Sequence, residues 1–173
     1  MFWKNKKGRR GMTLTEVMIT VAITGIIFAV GPQMFIQLNR FIKINQKKIE
    51  IQREARLILS TINRNLRMAS SPSITIDRFA SNQPYCSRIR FQRVDGMAYT
   101  FYQQGSRLVM TQTGPGISTS KILTSSLKYM AFVPPRSEDL SMISVSVTLE
   151  VQIPEAKTKA LHMASEKVMV MNE

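Results

Sequence analysis

Side chains capable of catalysis are scarce in this sequence of 173 residues. It contains one histidine, His162, and one cysteine, Cys86. One histidine cannot form a cluster of histidine ligands, and one cysteine cannot form a zinc site made of several cysteines. A single histidine also argues against a Ser-His-Asp or Cys-His catalytic site. No phosphate-binding glycine loop and no dinucleotide glycine pattern occurs either. We therefore expect a protein that is not an enzyme and that uses no metal or other cofactor.

One acidic residue, Glu16, is conspicuous because of its position. Directly after it come residues 17–39, a run of 23 residues without a charged side chain. Such a run is long enough to cross a membrane core of about 30 Å as a helix. A carboxylate in mid-membrane costs about 2.5–3.5 kcal/mol, so it usually has a partner or a task, whereas at headgroup depth it costs little. Spacing alone leaves both interpretations of Glu16 open.

Positive charge is concentrated in front of this apolar run. The sequence has 24 Lys and Arg residues against 11 Asp and Glu residues, a net charge of +13, and five of the basic residues lie within residues 1–11, which contain no acid. By the positive-inside rule, this distribution holds the N-terminus in the cytoplasm and places the bulk of the chain across the membrane. We expect a single-pass protein.

Three fates are compatible with a basic and then apolar N-terminus. A secretory signal peptide would be cut near Ala29-Val30-Gly31, but Pro32 would follow that cut and the apolar pattern continues beyond it. A plain signal anchor would stay uncut. The third fate is cleavage on the cytoplasmic side, and it depends on the residues between Lys6 and Val17.

Residues 6–17, which read KKGRRGMTLTEV, resemble the class III signal of type IV pilins and type II secretion pseudopilins. The resemblance implies that prepilin peptidase cuts between Gly11 and Met12 and that Met12 is then N-methylated. Glu16 lies at the position of the family's glutamate, which is thought to pair with the new amine of a neighbouring subunit and to set the register of a filament. A carboxylate is a natural partner for that positive charge at low dielectric. Met12 departs from the pattern, because phenylalanine is usual there, and Pro32 resembles the proline that bends the pilin helix.

Helical periodicity continues after the apolar run, which predicts a helix from about residue 13 to residue 69. Apolar residues recur at spacings of three, four and seven, as on one face of an amphipathic helix. This predicted stripe comprises Ile44, Ile51, Ala55, Ile58, Ile62, Leu66 and Ala69. Ser70-Ser71-Pro72 predicts the end of the helix. The stripe is expected to pack on a sheet, and a coiled-coil seam is the alternative.

The end of this helix refines the resemblance. It is similar to the corresponding segment of J-type pseudopilins and W-type minor pilins, in which an acid usually occupies the second position of the sequence that reads Arg64-Asn65-Leu66-Arg67 here.

Residues 73–173 carry strand patterns. We predict strands at 88–94, 97–103, 106–112, 127–133, 142–153 and 157–171, a loop at 113–120, and a two-residue hairpin at Asp95-Gly96. The predicted fold class is α+β, a type IV pilin-like fold whose long N-terminal helix is transmembrane in its apolar half and packs its amphipathic half on an antiparallel sheet. The expected segments are a cleaved leader (1–11), a transmembrane or filament-core helix (12–39), the amphipathic helix half (40–71) and a periplasmic β domain (72–173).

The resemblance implies a structural subunit, a minor pilin or pseudopilin of a type IV pilus or type II secretion pseudopilus. Its partners would be prepilin peptidase and other pilin subunits, and it would pass from the bacterial inner membrane into the filament. The alternative is an uncleaved single-pass protein whose outer domain binds a ligand or nucleic acid. Cationic and aromatic residues that could hold single-stranded nucleic acid are Arg88, Arg90, Tyr99, Tyr102 and Arg107.

Overall fold

A computed structural model describes residues 11–135, 141–154 and 158–171. The chain divides into two compact units, with the boundary between Ile42 and Lys43. Helix α1 (Leu14–Arg67) begins in the first unit and ends in the second. The predicted leader up to residue 10, and residue 157 of the last predicted strand, lie outside the described residues.

Helix α1 confirms the predicted helix to within two residues at either end. It ends close to Pro72, which lies in a short 3-10 turn, Ser71–Ser73. Arg64 and Arg67 occupy its last turn, where positive charge interacts favourably with the helix dipole. After the helix, the Ser70 N–H donates to the Gln92 carbonyl at 2.9 Å, which leads the chain directly into the sheets.

The described residues of the second unit form two antiparallel sheets, where one was expected. The first has the order β1-β2-β3-β4-β5, and its strands are Thr75–Asp77, Arg88–Gln92, Ala98–Gln104, Arg107–Gly114 and Ile117–Thr124. The second has the order β6-β7-β8, and its strands are Leu127–Val133, Met142–Ile153 and Thr158–Met169. A long N-terminal helix followed by antiparallel sheets confirms the α+β fold class.

Two local predictions were wrong. The loop expected at 113–120 is instead the end of β4, a two-residue turn and the first half of β5. Gly114 pairs with Ile117, so Pro115-Gly116 alone makes the turn, and Gly116 adopts the φ of +73° that glycine tolerates. The Ser and Thr residues that suggested a loop are exposed on the strand, where polar side chains carry no burial penalty.

The hairpin at Asp95-Gly96 is longer than two residues. The last paired residues of β2 and β3 are Gln92 and Ala98, so five residues connect the strands. Gly96 still supplies the turn, with a φ of +80°. Inside the connection, the Arg93 N–H donates to the Met97 carbonyl at 2.9 Å.

The core of the second unit forms between α1 and both sheets. The predicted apolar stripe is buried there from Ile51 to Ala69, and Ile44 is partly buried against the same cluster. Large buried side chains from the sheets include Phe101 and Phe132. Because the stripe is already covered within one chain, it is not free to act as the coiled-coil seam of the alternative interpretation.

Candidate assembly site

A capping box forms the N-terminus of α1. Thr13 immediately precedes the helix, and its hydroxyl accepts the Glu16 N–H at 3.3 Å. In return, Glu16 Oε2 accepts the Thr13 N–H at 3.0 Å and the Thr13 hydroxyl at 3.1 Å. Two backbone donors that a helix start leaves unpaired are thus satisfied reciprocally. Sequence reasoning missed the role of Thr13, although Thr-x-x-Glu before an apolar run is the signature of this motif.

The Glu16 carboxylate retains capacity for another donor. Both bonds from Thr13 end on Oε2, and Oε1 has no partner within the described part of the chain. The capping box therefore fixes the carboxylate beside the backbone of Met12 and Thr13 while one oxygen stays available. That oxygen would suit an ammonium group, which forms short, charge-assisted hydrogen bonds to carboxylates.

The predicted cleavage site, Gly11-Met12, lies just outside the helix. Both residues are exposed, and the Met12 side chain is 74% exposed. A Cβ placed on Gly11 would meet no atom within 4 Å. The fold of the described residues therefore places no demand for glycine at this position, so any requirement for it must come from an enzyme that reads the segment.

The part of α1 in the first unit exposes its apolar side chains. The large apolar residues of this part are between 42% exposed, at Val17, and 79% exposed, at Leu14. An 18-residue window is long and apolar enough to cross a membrane, and none of that window is buried. The hydroxyls of Thr20 and Thr24 donate to the carbonyls of Val17 and Thr20 at 2.9 and 2.7 Å, so both are satisfied within the helix. Such a surface requires lipid or other apolar helices around it.

Pro32 lies inside α1, which continues on both sides of it. Proline has no N–H to donate, so the helix lacks one i→i−4 hydrogen bond there. Neighbouring Gly25 and Gly31 have open space around them. A bend at Pro32 stays a prediction.

Only part of the cationic and aromatic set proposed for nucleic acid shares one face, where Tyr102 on β3 lies directly opposite Arg88 on β2. Arg88 and Arg90 share a face of β2, but both bind Asp77, with Nε–Oδ1 at 2.5 Å for Arg88 and Nη2–Oδ2 at 2.8 Å for Arg90. The hydrogen bonds from Arg88 lower the pKa of Asp77, and those same bonds raise the pKa of Arg88. A carboxylate thus neutralises part of the expected positive patch.

The aromatic members of that set are also separated. Tyr99 and Tyr102 are three residues apart on β3, so strand alternation places them on opposite faces. Tyr99 is 6% exposed. Tyr102 stacks on Phe79 with ring centroids 4.5 Å apart, and Arg107 lies exposed at the start of β4.

Cys86 and His162 have structural surroundings. Cys86 is a half-buried free thiol, and its carbonyl accepts the Phe132 N–H at 2.8 Å. Burial raises the pKa of Tyr129, and nearby Cys86 makes a smaller contribution in the same direction. His162 is half-buried in β8 opposite Leu149. Among residues 11–135, 141–154 and 158–171, no group of three His, Cys, Asp or Glu side chains could hold a metal ion.

The described residues combine an apolar helix that is exposed along its first part, carries Glu16 in its first turn and is followed by antiparallel sheets, and this arrangement agrees with the resemblance to type IV pilin-like proteins. Comparison with known proteins agrees. The protein-family model of the prokaryotic N-terminal methylation motif matches residues 6–31 of this chain. The pilin-like protein PilA3 of Thermus thermophilus is 30% identical over 63 residues, which are 36% of this chain and 27% of that protein. The matched region thus spans about a quarter of that relative's length, and the resemblance to the type IV pilin-like family is confirmed.

Proposed function

We propose that this chain is a minor pilin or pseudopilin, a structural subunit and not an enzyme. Prepilin peptidase removes residues 1–11, Met12 is N-methylated, and α1 holds the subunit in the bacterial inner membrane, with its sheets in the periplasm, until it enters a type IV pilus or type II secretion pseudopilus. This proposal rests on a combination of two observations. The methylation motif matches residues 6–31, and the apolar surface of α1 is exposed throughout its 18-residue window. A surface of that kind can contact lipid before assembly and can pack against other helices after it.

The geometry of Glu16 supports its proposed role in register. After cleavage, the positive charge of Met12 would lie one residue from Thr13, whose N–H contacts the carboxylate. The free Oε1 is available to the amine of a neighbouring subunit. In a filament core of apolar helices, an unpaired charge is costly, so a subunit at the wrong axial height would be disfavoured.

Assignment to the J-type pseudopilins or W-type minor pilins is part of this proposal. Asn65 occupies the position where those proteins usually carry an acid, and it is 5% exposed. Its Oδ1 accepts from Arg93 Nη1 at 3.4 Å, and its Nδ2 donates to the Thr61 carbonyl at 2.8 Å. The amide oxygen therefore faces a guanidinium, as a carboxylate would.

The register role is tested by Glu16→Ala, with Thr13→Ala as its matched control. Both variants break the capping box, but only Glu16→Ala removes the carboxylate. We expect Glu16→Ala to lower incorporation into filaments at least about tenfold, with cleavage largely intact, because a buried amine would lose its partner. Thr13→Ala should be incorporated much better.

The measurement is the ratio of filament-bound to membrane-bound subunit, read by immunoblot in cells that make the full chain. Equal losses of incorporation for Thr13→Ala and Glu16→Ala would show that Glu16 acts only as a helix cap. Normal incorporation of Glu16→Ala would reject the register role.

A further inference from the structure

The sheet edges in the second unit differ in how they are protected. β1 is three residues long, and β5 exposes a polar middle, residues 118–121, between two half-exposed isoleucines, Ile117 and Ile122. The edge of β6 is covered, because the Leu127 N–H donates to the Ser106 carbonyl at 2.9 Å and the Phe132 N–H donates to the Cys86 carbonyl at 2.8 Å. Short strands, polar side chains and cover all discourage pairing with another chain.

β8 is protected mainly by two exposed lysines, Lys159 and Lys167, and otherwise differs from the other edges. It pairs with β7 over twelve residues, from Met142 opposite Met169 to Ile153 opposite Thr158, without a register shift. It contains no proline, and no other strand of the described residues pairs with its second edge. One side of the strand thus presents a long row of backbone donors and acceptors to any strand that approaches it.

The exposed face of β8 carries large apolar side chains. Leu161 is 59% exposed, Met163 is 63% exposed and Met169 is 64% exposed. The three positions differ from one another by even numbers of residues, and side chains alternate between the two faces of a strand, so all three project from the same face. The opposite face is buried at Ala160 and Val168, which fixes the outward orientation of the apolar row.

The charges around β8 favour an acidic partner. Lys167 projects from the same face as the apolar row and has no ion-pair partner among the described residues, whereas Lys159 binds Glu150 at 2.6 Å. Residues 43–173 contain 18 basic and 10 acidic side chains, a net charge of +8. Two copies of this unit would repel each other, and an acidic chain would be attracted.

We propose that the free edge of β8 binds an extended strand of a different, acidic protein subunit. That strand adds to the sheet through backbone hydrogen bonds, its apolar side chains contact Leu161 and Met163, and an acidic residue lies opposite Lys167. This interaction goes beyond the proposed function, in which α1 carries assembly, and it gives the subunit a selective lateral contact.

The test places a photo-crosslinking amino acid at Met163 of the full chain in its own host, with Thr119 on β5 as the matched position. We expect an adduct with one acidic partner chain from position 163 and none from position 119. Lys167→Glu should lower the yield about fivefold, because an attractive cross-strand pair becomes repulsive. Lys121→Glu, which reverses an exposed lysine on β5, should leave the yield unchanged.

Several results would overturn the proposal: no adduct from position 163, an adduct between two copies of this chain, or an undiminished yield in Lys167→Glu. Restoration of the yield by an acid-to-lysine change in the cross-linked segment of the partner would confirm the charge pairing. The N-terminus of the wild-type chain is measured in the same cells. An adduct from an uncut chain would contradict the pilin proposal alone, and a cut chain without the adduct would contradict the β8 proposal alone.

Discussion

Replacing Ile62 by alanine tests whether the end of α1 is a core element of its own subunit. Ile62 is fully buried in the cluster between the helix and the sheets. If the apolar stripe were instead a seam between subunits, the substitution would weaken assembly and leave the unfolding of a single chain almost unchanged. Leu57 lies on the same helix, is 68% exposed and serves as the control.

The expected loss follows from the atoms removed. Ile62→Ala deletes three buried carbon atoms at about 0.8 kcal/mol each, and the cavity left behind raises the loss to about 3 kcal/mol. Unfolding entropy is about 2.1 cal/mol/K per residue, so a unit of about 130 residues should lose about 11 °C in Tm. Leu57→Ala removes the same number of carbons from water-exposed positions and should shift Tm by less than about 2 °C.

The assay is thermal unfolding of the full chain in detergent, followed by circular dichroism. The cooperative loss of sheet signal reports the second unit. A shift below about 4 °C for Ile62→Ala, or equal shifts for Ile62→Ala and Leu57→Ala, would refute the packing argument.

Two further predictions concern other parts of the chain. Asp77→Asn should destabilise the second unit by about 1–2 kcal/mol, because Arg88 loses a two-point carboxylate partner, whereas Arg90→Ala, at an exposed position, should cost less than about 1 kcal/mol. The Arg88 hydrogen bonds lower the pKa of Asp77 in the folded state. The Asp77 carboxylate therefore contributes its full share to the free energy of unfolding above the unfolded carboxyl pKa of about 3.9, and this share is lost as pH falls through the lower folded pKa. The stability gap between wild type and Asp77→Asn should therefore be constant near neutral pH and close only in acid, and a gap that closes near pH 7 would contradict this. Gly11→Ala should block leader removal, seen as a slower-migrating band, with Tm unchanged because the added Cβ meets no atom within 4 Å. Efficient removal would show that the peptidase does not read this glycine.

Local patterns predicted most of the elements. β6 and β7 have the predicted bounds, because alternation and Pro134-Pro135 are signals within each segment. The stripe on α1 followed from helical spacing. The division into two sheets could not be predicted in this way, since it depends on the choice of partner strand: β6 pairs with β7, as in Leu127 opposite Leu149, and not with β5.

The candidate site was predictable to a similar degree. Glu16 was found by its spacing from Gly11 and by the resemblance to a known signal, but its bonds to Thr13 were missed, although they follow from a local motif. The proposed cationic and aromatic surface was only partly correct, for two reasons. Asp77 comes from a short strand that was not predicted, and the three-residue spacing of the tyrosines was not compared with the two-residue period of a strand.

The N-terminus of the mature chain tests the central proposal most directly. Intact mass and N-terminal peptide mass are measured on protein isolated from the membranes of its own host. We expect a chain that begins at Met12 and carries an N-methyl group. A chain that begins at Met1 would contradict processing and favour the uncleaved membrane protein, and one that begins at Pro32 would identify a secretory signal peptide instead.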